Sequence, residues 1–82
     1  MNKTDILDKV QNIFRDIFGN SSLIINENTN QNDIDGWDSL THITILEAVQ
    51  DEFELTFTLD EMIELSDVGK IVDAIIAKST TS

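Results

Sequence analysis

Apolar residues recur at spacings of three and four in three separate stretches of this chain, a rhythm that admits helices and little else. In the first stretch Ile6, Leu7, Val10, Ile13, Phe14, Ile17 and Phe18 form one stripe. Thr4 is the expected N-cap there, and Gly19 with Asn20 the expected stop. In the second stretch Asp38 is placed to cap a helix over 39–53. At 100° per residue, His42, Ile45, Leu46, Val49 and Phe53 fall within one arc of about 100°, which is assigned to the core. Leu40, Ile43, Glu47, Asp51 and Glu54 cluster on a second face that mixes apolar side chains with acids. The third stretch, a helix over 67–77, sets Val68, Ile71, Val72, Ile75 and Ile76 on one side. Before it, Thr58 and Glu61 have the Thr-x-x-Glu spacing of a capping box, which predicts a short acidic helix over 59–65.

Between the first two helices, 20–38 is rich in Asn and carries only Leu23, Ile24, Ile25, Ile34 and Trp37 as apolar anchors. A loop this long in a compact domain is expected to be functional or pinned by a few buried side chains. Leu23 to Ile25 has the composition of a short strand, but no partner strand is in view. The fold class is therefore all-α: a four-helix bundle of three main helices and one short helix, with a long loop between helices 1 and 2. The 82 residues fit a single domain over 1–82, with 79–82 as a frayed tail. A deep enclosed active site is not expected in so small a chain.

Charge narrows the partners. The chain holds 16 Asp and Glu against 5 Lys and Arg, a formal charge of −11, and no Lys or Arg falls between Arg15 and Lys70. Such a field repels nucleic acid and anionic lipid and favours basic partners. It also strains the fold at low salt, so added salt or divalent cations are expected to tighten it. Without cysteine there is no disulfide, no thiolate metal site and no thiol nucleophile, so any thiol chemistry is imported. No apolar run approaches a membrane span, and a cytoplasmic, monomeric protein is expected.

Ser39 opens the second helix, where unpaired N–H groups and the positive end of the helix dipole favour a phosphate. Alone, Asp38-Ser39 before an apolar helix is ordinary capping. A hydrolytic serine needs a general base, and the single histidine, His42, lies one turn on and projects toward the core. The local sequence Gly36-Trp37-Asp38-Ser39-Leu40 is not a Gly-x-Ser-x-Gly elbow. Asp33-Ile34-Asp35-Gly36 matches the middle of an EF-hand loop, but Gln31 and His42 then occupy the end positions where acids belong. No resident metal is expected. No catalytic residue is thus expected in the chain, and beside ordinary capping Ser39 offers an exposed hydroxyl electrostatically suited to becoming a phosphodiester.

Asp38-Ser39-Leu40 at the start of the second helix, near mid-chain in an acidic, cysteine-free protein, resembles the acyl carrier protein family. The resemblance extends through Asp51-Glu52-Phe53 and covers the chain from the first helix to the last. It implies an acyl-carrier-like bundle in which Ser39 receives 4′-phosphopantetheine from coenzyme A and acyl groups ride as thioesters on the arm's thiol. It implies a phosphopantetheinyl transferase as a partner, with Asp38 assisting at that enzyme's magnesium. Acyl ligases or acyltransferases and synthase enzymes then dock basic patches on Asp38, Leu40, Ile43, Glu47, Asp51 and Glu54. It further implies a cleft for the acyl chain, for which Ile45, Leu46, Val49, Phe53, Met62, Ile63, Val68 and Ile71 are the apolar candidates, though their first role is the core and any such pocket is expected to open only with the ligand. Thr41 and Thr44 replace the acids that fatty acid biosynthesis carriers hold early in this helix. Trp37 and Thr41-His42 look more like free-standing carriers of specialised pathways, such as polysaccharide, lipid, polyketide or other secondary-metabolite biosynthesis. The alternative is a carrier-fold interaction domain that has lost the arm.

Overall fold

The computed structural model describes residues 2–79, which form four helices: α1 (Lys3–Phe18), α2 (Ser39–Phe53), α3 (Leu59–Glu64) and α4 (Val68–Ser79). Helix α1 packs against both α2 and α4. Its stripe buries Ile6, Val10 and Phe14 against Ile45, Leu46 and Val49 of α2 and Val68, Ile71, Val72 and Ile75 of α4, all less than 2 % exposed. Full burial of each such side chain contributes about 1.5–3 kcal/mol, and this shared apolar centre holds the three helices together.

Helix α1 begins earlier than expected. Asn2, not Thr4, is its N-cap, with the side-chain oxygen accepting from the Asp5 N–H at 2.9 Å. Asparagine caps somewhat better than threonine, and the two added residues leave Asp5 in the first turn, at the positive end of the dipole. The far end stops as expected: Gly19 turns left-handed at φ +62°, and the N–H groups of Gly19 and Asn20 return to the carbonyls of Asp16 and Arg15.

The loop from Asn20 to Asp38 is ordered by its asparagines. The side-chain oxygens of Asn20, Asn26 and Asn30 each accept the N–H two residues on, at 2.8–3.0 Å, closing three successive Asx turns. Polar groups of α1 hold the same loop, since Gln11 accepts from the Ile25 N–H and the Arg15 Nε donates to the Leu23 carbonyl. Ile25 and Trp37 are its buried anchors. Residues 23–25 form no strand; the one bridge among the described residues joins Asn30 to Asp67.

That bridge belongs to a clip onto the start of α4. Val68 and Gly69 donate to the carbonyls of Thr29 and Glu27, both at 2.9 Å, while Lys70 donates to the Asp67 side chain. The first-turn donors that every helix leaves unpaired are thus met by the loop and by Asp67. Accordingly α4 begins at Val68, one residue after the expected start, and runs past Ala77 to Ser79, whose hydroxyl donates to the Ile76 carbonyl. Ser79 is therefore helical, and the rest of the expected frayed tail, 80–82, lies outside the described residues.

Helix α3 ends at Glu64, one residue short of the expected 65, and Leu65 is its buried cap. The Thr58–Glu61 capping box is present in both directions. No residue of α3 is itself buried; Phe57 and Leu65, at its two flanks, fasten it to the core.

Candidate functional site

The site is built at the entry of α2. Asp38 has extended backbone geometry, and its side chain accepts from the Thr41 N–H at 2.8 Å while its carbonyl accepts from His42 at 2.8 Å. The Thr41 backbone bond, then the Thr41 hydroxyl, hold the Asp38 carboxyl below its ordinary range. Asp38 is thus a fixed anionic cap. Ser39, the first helical residue, is exposed beside it. Ser39 opens onto a groove of about 280 Å³ lined with Gln31, His42, Ile43, Met62 and Ile63. Helices α2 and α3 form its two apolar walls.

His42 lies under this groove, only 7 % exposed. Its Nδ1 accepts from the Trp37 Nε1–H at 3.1 Å, and its Nε2 lies 2.9 Å from the Met62 carbonyl. A histidine with both ring nitrogens engaged is no base for Ser39, and its burial matches the core-facing position expected of it. Among the described residues no group of three or more potential ligands is placed to hold a metal. Asp33, one of the two acids of the EF-hand-like stretch, instead accepts from the Asn30 N–H within the loop.

The candidate cleft does not stand open in the packed interior, which accords with a pocket that opens only with its ligand. Of its eight candidate residues only Met62 and Ile63 line the groove. Ile45, Leu46, Val49, Val68 and Ile71 are wholly buried in contact with one another's cluster. Phe53 is half-buried at the far end of α2, with the Lys9 ammonium 5.8 Å from its ring centre. Close packing wins because a small domain cannot hold a large empty cavity without losing much of its stability.

The family model described as the phosphopantetheine attachment site matches residues 8–75. The chain belongs to the phosphopantetheine attachment family. It is therefore a carrier of that prosthetic group rather than an enzyme, and membership implies a transferase that attaches the arm and enzymes that handle acyl groups as partners. Among solved structures the carrier is similar to the holo acyl carrier protein from Geobacter metallireducens. The identity is 33 %, the TM-score 0.84, and the match covers 93 % of this chain and 87 % of the other. No curated protein matches the carrier.

On the carrier's second face Leu40 is 78 % exposed, Glu47 and Asp51 are exposed, and Ile43 is half-buried at the groove. Glu54 departs from that face. It is the C-cap of α2, left-handed at φ +54°, so its side chain leaves the helix rather than continuing the row. Sequence reasoning also missed two residues. Trp37 was expected only as an apolar anchor, yet its indole N–H is what engages His42. Gly69 gave no signal, yet a Cβ there would lie 2.7 Å from the Glu27 carbonyl oxygen.

Proposed function

We propose that Ser39 bears the 4′-phosphopantetheine arm and that this single-domain carrier presents acyl groups, held as thioesters on the arm's thiol, to partner enzymes of a specialised biosynthetic pathway. The observation that carries the reading is the exposed hydroxyl of Ser39 at the first turn of α2, beside a fixed cap and at the mouth of an apolar groove. The helix start suits a phosphodiester, and the groove walls of Ile43, Met62 and Ile63 suit the less polar pantetheine portion. The family supplies the group; the chain supplies one serine in position to take it.

Leu40, Ile43, Glu47 and Asp51 form the docking face for basic partners, with Asp38 and Glu54 at its two ends. A weakly apolar strip edged with acids suits brief, charge-steered encounters. The specialised pathway, polysaccharide, lipid or secondary-metabolite, rests on the thinned charge beside Ser39, where Thr41 and Thr44 stand.

Incubation with coenzyme A and a broad-specificity phosphopantetheinyl transferase, followed by intact mass measurement, tests the assignment. The chain is expected to gain the mass of one phosphopantetheine, and Ser39→Ala to gain none. A gain that survives the substitution moves the attachment elsewhere.

A further inference from the structure

His42 crosses the route from the groove to the core, and its partners dictate its chemistry. The Trp37 indole N–H can only donate and the Met62 carbonyl can only accept, so both bonds require the same imidazole tautomer, with the proton on Nε2. Trp37 is itself 5 % exposed and stands edge-on against Phe14 of α1, with ring centres 5.1 Å apart. A polar relay therefore runs from the apolar centre, through the groove floor, to the middle of α3.

Helix α3 is otherwise lightly held. None of its own side chains is buried, and its Glu61 pairs with Lys78 at 3.0 Å on a partly exposed side. An alkyl chain passing from Ser39 into the core must part α2 from α3, and that breaks the relay. The His42–Met62 bond, which joins α2 to α3, would then be lost, leaving an imidazole N–H and a carbonyl unpaired beside hydrocarbon, a penalty larger than a typical hydrogen bond contributes when formed.

We propose that the Trp37–His42–Met62 relay is a gate that closes the core to long alkyl chains, making His42 a specificity-determining residue. The cargo of this carrier is accordingly a short or polar acyl group that stays on the surface groove, where Gln31 adds a polar lining group. This rests on the reading of Ser39 as the attachment point.

The test has two arms. On the unmodified, ¹⁵N-labelled chain, long-range proton–nitrogen correlation is expected to give His42 one pyrrole-like Nε2 and one pyridine-like Nδ1. Trp37→Phe, which keeps a ring and removes the donor, is expected to leave the proton on Nε2, where the Met62 carbonyl holds it, and to shift the Nδ1 resonance alone. On chains loaded from acetyl- or decanoyl-coenzyme A by a transferase, thioester cleavage by hydroxylamine is then timed. In the wild-type chain both thioesters are expected to react at rates within about twofold of each other. In His42→Leu the decanoyl thioester is expected to become about tenfold slower than the acetyl one, the factor for one buried hydrogen bond no longer lost on entry. Should His42→Leu fold poorly, His42→Phe, which keeps a ring and removes the bond to Met62, is expected to show the same chain-length dependence. A protected decanoyl thioester in the wild type, or rates blind to chain length in both variants, overturns the gate. So does the opposite tautomer on the unmodified chain. Failure of Ser39 to load at all overturns the attachment reading, and the cargo assignment with it, while the nitrogen spectrum reports the relay separately.

Discussion

Asp38 and Gly69 each do something that residue type alone does not announce. The Asp38 carboxyl is held low by the bonds it accepts from Thr41, so its contribution to stability is fully present above the unfolded value of about 4. That contribution is lost as pH falls through the lower, folded value. Glu61, held low by the Thr58 N–H and then by Lys78, behaves with the same sign. Asp38→Asn keeps a capping oxygen without a titrating proton, so its unfolding free energy is expected to fall less steeply than wild type below about pH 4. Equal slopes in denaturant titrations across that window would remove Asp38 from the acid response. At Gly69 two effects compete. Alanine would gain about 1 kcal/mol of helix propensity. Its Cβ, 2.7 Å from the Glu27 carbonyl oxygen, would push away the backbone that the Gly69 N–H bonds to. Overpacking of this kind costs about 1–3 kcal/mol, and a lost backbone hydrogen bond adds to it. Gly69→Ala is therefore expected to lower the melting temperature by at least several degrees, measured by thermal unfolding. A rise would mean that the loop yields freely.

At the scale of elements, α2 carries its own start and stop but not equally well. Asp38 caps it with good geometry, whereas Glu54 ends it in the left-handed region that a side chain disfavours. Relief of that strain is worth about 1 kcal/mol, so Glu54→Gly is expected to raise the melting temperature by a few degrees. No change in calorimetry would show that the strain is already relaxed. The boundaries of α2 could be read from Asp38 and from the apolar arc, because cap and core face lie within one helix. The start of α1 could not, because Asn2 and Thr4 are both capping residues and only the bond to Asp5 distinguishes them. Likewise α4 starts where the loop carbonyls of Glu27 and Thr29 reach it, a contact between segments some forty positions apart.

For the whole molecule the dominant quantity is a formal charge of −11. Among the described residues Lys3 bonds to Glu27 and lies 3.9 Å from Asp73, which together raise the lysine above its ordinary value, and Lys78 pairs with Glu61. Screening should therefore stabilise the fold, and the melting temperature is expected to climb as NaCl rises from a few millimolar to about 0.15 M. A flat profile would mean that the acids are spaced widely enough not to matter. The same field steers partners. Glu47→Lys with Asp51→Lys is expected to slow acyl transfer to a basic partner enzyme while leaving the helical circular dichroism unchanged, and unaltered transfer kinetics would remove these two acids from the docking face. Among the described residues no helix is long and apolar enough to cross a membrane.

Helix content, the apolar stripes, the capping box and the Asp38-Ser39 entry were determined by the sequence itself, because each is a local pattern within one or two turns. Tertiary structure decided how tightly the interior closes: Ile45, Leu46, Val49, Val68 and Ile71 pack solid rather than line a cleft. It also decided that Trp37 and Met62, one in a loop and one in α3, meet at His42. Periodicity can say which way a side chain points, but not which atom from another segment awaits it. The hydrogen bonds beneath the groove at Ser39 exist only once the loop, α2 and α3 have packed.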